Sequence, residues 1–313
     1  MKNGARSRGD GITSSNVAAT TYRVTRKVMR ILVTGASSPL AAGVLRHLLL
    51  NPDLELWCGR HRKDIPIEDP RLHVIDLDLE GDVRGSLSGE RFDMVVHFAG
   101  VTHAADEQRY WDVNLNGTVR LAVATHANGC RHFVYISTRC ATRGSGAYGE
   151  SKLAAEQELL KFDWDSLLII RPAEIYGGGG QEGIDRMLAV ARRLRFIPAL
   201  FGHGNLRFAP MHVDDFSRIT ADLIQQPRDG VMIENVCGPE DLSGMALAYR
   251  IGKRYRAVPL PLWWPAVSVG LRALQKMGFA IVKPDQLTRL TGEKTGTAAS
   301  AKSSRAARRF LTN

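Results

Sequence analysis

Short apolar, β-branched runs alternate with helix-length stretches over the first half of the chain. The runs predict strands, and the apolar spacing over residues 40–50, 109–128 and 148–161 predicts helices. Strands that are joined by helices run parallel, and right-handed crossovers then cover both faces of the sheet. The pattern therefore predicts an α/β fold with a doubly wound parallel sheet. The strand runs are Arg30–Val33, Leu54–Cys58, Leu72–Ile75, Met94–Phe98, Phe133–Ile136 and Ser166–Ile170.

The pattern changes after Arg171-Pro172, where Gly and Pro residues separate helical stretches near 184–195 and 214–226. We expect residues 29–175 to form the main α/β domain. Residues 176–293 would form a smaller lobe with interleaved elements that shapes a substrate pocket. The polar residues 1–28 predict a disordered extension or, as the alternative, a mitochondrial-type presequence, and residues 294–313 predict a flexible basic tail.

The positive charge of the chain is concentrated at its two ends. The net charge is +10 over 313 residues, of which residues 1–30 carry +6 and residues 294–313 carry +5. The remaining body is therefore nearly neutral, which argues against a DNA-reading face, and we expect no nucleic-acid partner. Basic tails remain compatible with contact to anionic surfaces.

Cysteine spacing and hydropathy exclude several further classes of protein. The four cysteines, Cys58, Cys130, Cys140 and Cys237, show no C-x-x-C spacing, so neither a disulfide framework nor a metal site is expected. No apolar run has the length of an integral membrane span, and the N-terminus lacks a secretory signal. A cytoplasmic location is the expectation.

A candidate nucleotide-binding loop follows the first strand, where Thr34-Gly35-Ala36-Ser37-Ser38-Pro39-Leu40 leads into a helix. In such a turn, backbone N–H groups at the helix N-terminus bind the pyrophosphate of a dinucleotide. Gly35 supplies the tight turn, but Ser38 or Pro39 stands where a further glycine is usual. By itself the loop fits a dinucleotide-binding turn and a plain strand-to-helix turn equally well.

The ends of the second and third strands bear on the choice between NAD and NADP. Enzymes that bind NAD carry a carboxylate at the end of the second strand for the ribose hydroxyls, whereas Arg60 stands here. A guanidinium suits a 2′-phosphate, so the sequence favours NADP over NAD, with a solvated loop charge as the alternative. Asp76 closes the third strand, where it would meet the adenine amino group or serve as a turn residue.

Tyr148 and Lys152 lie four residues apart on one face of a predicted helix, after a strand that ends in Ser137-Thr138. A phenol with a pKa of about 10 is a poor base at neutral pH, and a nearby ammonium favours the phenolate. Thr138 would hold the substrate oxygen, Tyr148 would exchange the hydroxyl proton, and Lys152 would also bind the cofactor ribose. This combination predicts hydride transfer between a substrate carbon and a nicotinamide.

Over about residues 29–245 the chain resembles extended short-chain dehydrogenases of the NAD(P)-dependent epimerase/dehydratase family, and around residues 95–118 it is similar to UDP-galactose 4-epimerases. The resemblance implies a Rossmann-like NAD(P)-binding domain over residues 29–175 and a homodimer formed by the helices around 109–128 and 148–161. Besides the loop and the Tyr-Lys pair, the motifs are Val95–Gly100, Asn114–Thr118, Phe133–Thr138, Arg171–Gly177 and Met211–Asp215.

The resemblance also implies roles for individual residues. Thr102 and Arg207 would contact the substrate, and Arg207 would lie near its diphosphate. The catalytic residues would be Thr138, Tyr148 and Lys152. The cofactor would contact Thr34, Gly35, Ser37, Ser38, Pro39, Leu40, Arg60, Asp76, Leu77, Phe98, Ala99, Gly100, Asn114, Lys152, Pro172 and Ile175.

Departures from the family pattern narrow the reaction. Sugar-nucleotide 4,6-dehydratases place an Asp-Glu pair after the catalytic threonine, whereas Arg139 and Cys140 follow here, so dehydration is not favoured. Cys140 stands where GDP-fucose synthases carry a catalytic cysteine, and an inert thiol is the alternative. The C-terminal arginine that clamps the diphosphate in many relatives has no clear counterpart.

The leading hypothesis is 4-epimerisation or 4-keto reduction of a nucleotide-linked sugar. A reductase of a non-sugar ketone, such as a steroid, is the second hypothesis. A non-catalytic NADP(H)-binding accessory subunit is the third, suggested by the altered glycine loop and by residues 284–290. The joint presence of Thr138, Tyr148 and Lys152 argues against this third hypothesis, because a purely structural protein has no need of them.

Overall fold

The computed structural model describes residues 28–179, 183–276, 284–296 and 307–311. Its strands are β1 Met29–Thr34, β2 Leu54–Arg60, β3 Leu72–Asp76, β4 Met94–His97, β5 His132–Ile136, β6 Ser166–Pro172, β7 Ile175–Tyr176, β8 Phe196–Phe201, β9 Arg207–Phe208, β10 Met211–His212, β11 Gly230–Val236, β12 Leu242–Ser243 and β13 Val258–Trp263. Its α-helices are α1 Pro39–Leu48, α2 Val83–Ser86, α3 Gln108–Tyr110, α4 Thr118–Ala127, α5 Ala147–Leu159, α6 Gly183–Leu194, α7 Val213–Gln225, α8 Gly244–Tyr255, α9 Trp264–Lys276 and α10 Pro284–Thr291. A π-helical segment, Trp111–Gly117, joins α3 to α4.

The main sheet has seven parallel strands in the order β11-β6-β5-β4-β1-β2-β3. The predicted doubly wound parallel sheet is confirmed. The central strands are apolar on both faces because helices cover both sides. The strand order reverses between β1 and β4, and ligands of such sheets bind beyond the carboxyl ends of the strands at this reversal.

Two apolar cores lie on opposite faces of the sheet. On one face, Val44 and Leu45 of α1 pack with Phe216 of α7. On the other face, Leu121 of α4 and Leu159 of α5 pack against the sheet. Helices that connect the strands therefore cover both faces of the sheet.

The second lobe is built around the parallel strands β8 and β13, against which α6 and α8 pack. The lobe begins after β7, but α7 and β11 return to the main sheet, so the chain crosses between the two parts more than once. The strand β11 was not predicted. Its sequence, GVMIENV, has only a three-residue apolar run, Val231–Ile233, followed by Glu234 and Asn235, and the strand lies largely exposed at the sheet edge.

Of the segment 294–313, for which the sequence predicts a flexible tail, the described residues 307–311 pack against the rest of the protein. Phe310 is 1% exposed and meets the Tyr176 ring edge-on at 5.0 Å. Arg308 pairs with Asp215 at 3.1 Å. The apolar Phe310 supplies the burial that anchors this segment, which a count of basic residues does not reveal. The proposed extension over residues 1–28 lies outside the described residues except for Val28.

Candidate active site

The candidate site lies where β1 and β4 separate at their carboxyl ends. Gly35 follows β1 with φ +69°, and a Cβ at this position would lie 2.5 Å from the backbone nitrogen of Ala99, just beyond β4. Only glycine combines this conformation with so close an approach. The turn that the sequence assigned to Gly35 is therefore built between the two strands that border the crevice.

Ser38 and Pro39 begin α1 without a second glycine. Ser38 is the N-cap, and its hydroxyl accepts a hydrogen bond from Ala41 N–H at 3.2 Å. Pro39 occupies the first helical position, where a missing N–H costs nothing. The N–H of Leu40 is among the donors that the helix cannot satisfy itself, so it is available to an anion at this end. The donor set therefore fits a dinucleotide phosphate.

A buried chain of hydrogen bonds fixes this loop to the far side of the crevice. Thr34 Oγ1 lies 2.5 Å from His97 Nδ1, and His97 Nε2 lies 2.9 Å from Thr118 Oγ1. Burial, assisted by the charge of Lys152, lowers the pKa of His97 to about 3, so the imidazole is neutral. Thr118 in turn donates to the carbonyl of Asn114 at 2.6 Å. The sequence indicated the strand that carries His97 but not this linking role.

Asn114 lies in the π-helical segment, a form often found at functional sites. Its fully buried amide accepts from Val101 N–H at 2.7 Å and donates to the Val101 carbonyl at 3.0 Å. A Cβ on Gly100 would lie 3.0 Å from Asn114 Oδ1 and 3.4 Å from Lys152 Nζ. Gly100, Asn114 and Lys152, which the resemblance assigns to the cofactor, thus meet at one place.

Lys152 is 4% exposed on α5. Its Nζ donates to the carbonyl of Ile136 at 2.8 Å and lies 4.4 Å from the centre of the Tyr135 ring. Desolvation lowers the pKa of Lys152 from 10.5 to about 7, although the charge of Glu156 opposes the shift. The ammonium is therefore held at the end of β5 in a state that readily exchanges a proton at neutral pH.

Tyr148 lies one helical turn before Lys152 and is enclosed by two further side chains. The Tyr110 ring meets it edge-on with centroids 5.9 Å apart. The Arg289 guanidinium lies 3.8 Å from the Tyr148 ring centre and donates to the Thr102 carbonyl at 2.8 Å and to the Tyr110 hydroxyl at 3.0 Å. The sequence did not identify Arg289, because α10 reaches the site only through the tertiary fold.

Thr138 follows β5 and is 9% exposed, and its hydroxyl accepts from Cys140 N–H at 3.2 Å. Burial raises the pKa of the Cys140 thiol, which keeps it protonated and makes it a poor nucleophile or base. Of the two interpretations of Cys140, the structure favours the inert thiol.

Behind Thr138 lies a charge cluster that the sequence did not predict. Glu174 accepts from Lys294 at 3.2 Å, from Arg139 at 3.5 Å and from the backbone of Ala209 at 2.9 Å. The two cations hold the pKa of Glu174 below its usual value against the opposing effect of burial. The cluster fixes the turn after Thr138 to the segment around Lys294.

Arg60 and Asp76 end adjacent strands in register and form an ion pair at 2.9 Å, with Asp64 at 3.4 Å from the same guanidinium. The pairing raises the pKa of Arg60 and lowers that of Asp76. Leu77 follows Asp76 and is buried against Gly59. Arg60, Asp76 and Leu77 thus lie together at the carboxyl ends of β2 and β3.

The other predicted contacts lie along the same edge of the sheet. Pro172 ends β6 and accepts from Arg139 N–H at 3.1 Å, and Ile175 begins β7. Phe98 N–H donates to the Thr34 carbonyl at 3.1 Å. Arg207 is half-exposed and donates to the Asp241 carbonyl at 3.0 Å, and its own carbonyl accepts from Lys294 at 2.5 Å.

No metal-binding cluster of His, Cys, Asp and Glu occurs among the described residues. Within the same residues, no helix is both long and apolar enough to cross a membrane.

Comparison with known protein families assigns the chain to a family. The model of the NAD dependent epimerase/dehydratase family matches residues 31–237, which is more than half of the chain. The chain belongs to this family. This epimerase/dehydratase homologue is accordingly an enzyme of the extended short-chain dehydrogenase type.

Curated relatives include sugar-nucleotide and lipid enzymes. A UDP-glucose 4-epimerase from Vibrio cholerae is 24% identical over 294 residues, covering 84% of this chain and 85% of that protein. A ceramide reductase from Caulobacter vibrioides is 30% identical over 195 residues, covering 59% of this chain and 57% of that protein.

Solved structures share the fold. A Streptomyces venezuelae dTDP-glucose 4,6-dehydratase with NAD and TYD bound has a TM-score of 0.64 at 22% identity, covering 75% of this chain and 84% of its own. A Thermus thermophilus UDP-glucose 4-epimerase in complex with NAD has a TM-score of 0.61 at 19% identity. The match covers 84% of this chain and 97% of that one.

Proposed function

We propose that this enzyme transfers a hydride between a nicotinamide dinucleotide and the C4 position of a nucleotide-linked sugar, in a 4-epimerisation or a 4-keto reduction. The observation that carries the proposal is the buried Lys152 ammonium. It is fixed at the end of β5 by its hydrogen bond to the carbonyl of Ile136, lies one helical turn from Tyr148, and meets Gly100 and Asn114. The sugar-nucleotide relatives support the choice of substrate.

The side chains divide the proton chemistry among them. Thr138 positions the substrate oxygen by a hydrogen bond, and the Tyr148 phenol gives or takes the hydroxyl proton. Lys152 stabilises the phenolate electrostatically and donates to the ribose hydroxyls of the cofactor. When bound, the nicotinamide supplies or accepts the hydride.

Dehydration is not part of the proposal. It needs an acid and a base next to the catalytic threonine, whereas Arg139 is bound to Glu174 there and Cys140 is a protonated thiol. The likeness to the dehydratase structure concerns the fold alone.

Identification of the bound nucleotide tests the assignment. The purified protein is stripped of its nucleotide, which is identified by mass, and the protein is then assayed with UDP-glucose and with NADPH plus 4-keto sugar nucleotides. Tyr148→Phe should abolish turnover and leave dinucleotide affinity nearly unchanged, whereas Tyr249→Phe, on the exposed face of α8, should behave as wild type. Full activity of Tyr148→Phe would disprove the mechanism. Dinucleotide binding without turnover of any ketone would instead favour the accessory-subunit hypothesis.

We further propose that the enzyme prefers NADP to NAD. Support comes from Arg60, which ends β2 in place of a carboxylate and already binds the anions Asp76 and Asp64. Titration of Arg60→Ala with both dinucleotides should show NADP affinity falling about tenfold or more and NAD affinity changing little. An equal loss for both would show that Arg60 does not contact a 2′-phosphate.

A reductase of an apolar ketone is the second candidate, favoured by the likeness to a ceramide reductase. Steroid and long-chain ketones added to the NADPH assay distinguish it from the first candidate. We also propose a homodimer through α4 and α5, where Val123 is 42% exposed, and light scattering of the purified protein tests this.

A further inference from the structure

We propose that the second lobe carries a docking face for an anionic lipid surface, so that the enzyme binds membranes peripherally. The docking face is defined as the outward side of the β8–β13 sheet together with the basic residues at the end where both strands begin. It lies apart from the residues assigned to catalysis and cofactor binding.

The register of the two strands places their apolar residues on one side. Phe196 pairs with Val258 and Pro198 pairs with Leu260, and alternate residues of a strand share a face. The opposite side is covered, since Ile197 is fully buried and the Pro259 ring lies 3.2 Å from a Cβ built on Gly252 of α8. Over the first part of the two strands the sheet is therefore packed on one side only, whereas Leu200, further along the outward side, packs with Leu206 and Trp264.

The outward side leaves large apolar side chains in water. Phe196 is 38% exposed, Val258 62%, Leu260 44% and Leu262 37%. Trp263 at the carboxyl end of β13 is 55% exposed as well, but strand alternation places it on the other face, next to Gly202. Contiguous exposed apolar side chains on the surface of a protein mark an interaction site.

The fold collects cations at the other end of the sheet. α6 runs directly into β8 and α8 runs directly into β13, and because the strands are parallel both helices end at the same place. Their last turns and the links after them carry six exposed cations. These are Arg192, Arg193, Arg195, Lys253, Arg254 and Arg256.

The sequence provides no opposing charge in these segments. Residues 186–213 and 242–276, which include the docking face, contain neither Asp nor Glu. These segments therefore carry only positive formal charges, although the body of the protein as a whole is nearly neutral. Cations gathered at one end of an exposed apolar surface match an anionic bilayer.

α9 extends the same surface beyond Trp263. Trp264 is 6% exposed and packs with Leu206, whereas Val269 on α9 is 66% exposed. Val267 and Leu271 pack with the same cluster, which also contacts Leu290, the residue after Arg289. The docking face thus lies one packed layer from the arginine that covers Tyr148.

Flotation of the full-length protein with vesicles tests the proposal. We expect binding to vesicles of equal parts phosphatidylcholine and phosphatidylglycerol and at least tenfold weaker binding to pure phosphatidylcholine. Raising the salt from about 0.1 M to about 1 M shortens the Debye length from about 10 Å to about 3 Å and should weaken binding strongly.

Two double variants separate the apolar and basic contributions. Leu260→Gln with Leu262→Gln, and Arg193→Glu with Arg254→Glu, should each weaken binding to anionic vesicles roughly tenfold or more. The matched controls are Leu50→Gln, at a residue 78% exposed, and Arg84→Glu, which should bind as wild type. Circular dichroism and dinucleotide affinity should match wild type for every variant.

Absence of binding to anionic vesicles, or equal binding by the docking-face variants and wild type, would overturn the proposal. A change of oligomeric state in the Leu260/Leu262 variant, without vesicle binding by the wild type, would show that this face binds protein instead. Vesicle binding does not depend on turnover, so these outcomes are independent of the proposed reaction.

Discussion

Replacing Lys152 with Met is expected to remove a pH dependence from the stability of the protein. The Lys152 side chain is 4% exposed, and burial lowers its pKa from 10.5 to about 7. Between these two values the unfolded chain binds a proton at Lys152 that the folded protein has lost. The free energy of unfolding of the wild type therefore rises with pH across this window and is lower when the buried ammonium is charged.

The magnitude follows from proton linkage. The slope reaches about 1.4 kcal/mol per pH unit between the folded and unfolded pKa values of Lys152. Integrated from pH 7 to pH 9, it amounts to about 2 kcal/mol in favour of the wild type at the higher pH. The Met variant lacks the titrating group, and the buried cysteines that titrate at higher pH are common to both proteins.

Urea unfolding of nucleotide-free protein at several pH values, followed by circular dichroism, measures the difference in unfolding free energy between wild type and variant. Lys161→Met is the matched control, because Lys161 is 66% exposed and its pair with Glu158 lies at the surface. The difference in unfolding free energy between wild type and Lys152→Met should change by about 2 kcal/mol from pH 7 to pH 9. The corresponding difference for Lys161→Met should stay constant. If the difference for Lys152→Met were also independent of pH, the argument that burial lowers the pKa of Lys152 would be refuted.

Three further changes test the packing around the site by the same unfolding assay. Gly89→Ala should lower the free energy of unfolding by about 1–2 kcal/mol, because the residue has a positive φ. Gly35→Ala should lower it clearly more, because Gly35 has a positive φ and also lies against a neighbouring backbone. Phe310→Ala should cost about 3–5 kcal/mol because the ring is fully buried. Glu156→Gln should lower the free energy of unfolding by about 3–5 kcal/mol, because Glu156 forms a buried ion pair with Arg171. The same change at Glu158, whose ion pair lies at the surface, should lower it by less than about 1 kcal/mol.

Equal costs at the two glycines would remove the steric argument for the loop. A cost below about 1 kcal/mol at Phe310 would show that the C-terminal segment is not anchored in solution. Equal costs for the two glutamates would show that the buried ion pair is not formed.

Local sequence patterns determined most of the main sheet and the pairing of Tyr148 with Lys152 on one helix. Six of the sheet's seven strands were predicted because each is a short apolar, β-branched run, and the central ones are buried on both faces as in a parallel sheet covered by helices. Tyr148 and Lys152 were recognised because a helix places residues four apart on one face. Gly35 was assigned to a tight turn from its place between strand and helix, and its positive φ bears this out.

Only the tertiary structure decided which distant residues surround that motif. Arg289 covers Tyr148 and Glu174 joins Arg139 to Lys294 through contacts between residues far apart in sequence, which no local period encodes. The tail was judged by its charge, yet its position depends on one buried ring, Phe310. Local patterns therefore specified the sheet and its motif, because backbone geometry repeats over a few residues. The arrangement of charges around the site required the fold, because burial and pairing are properties of the packed chain.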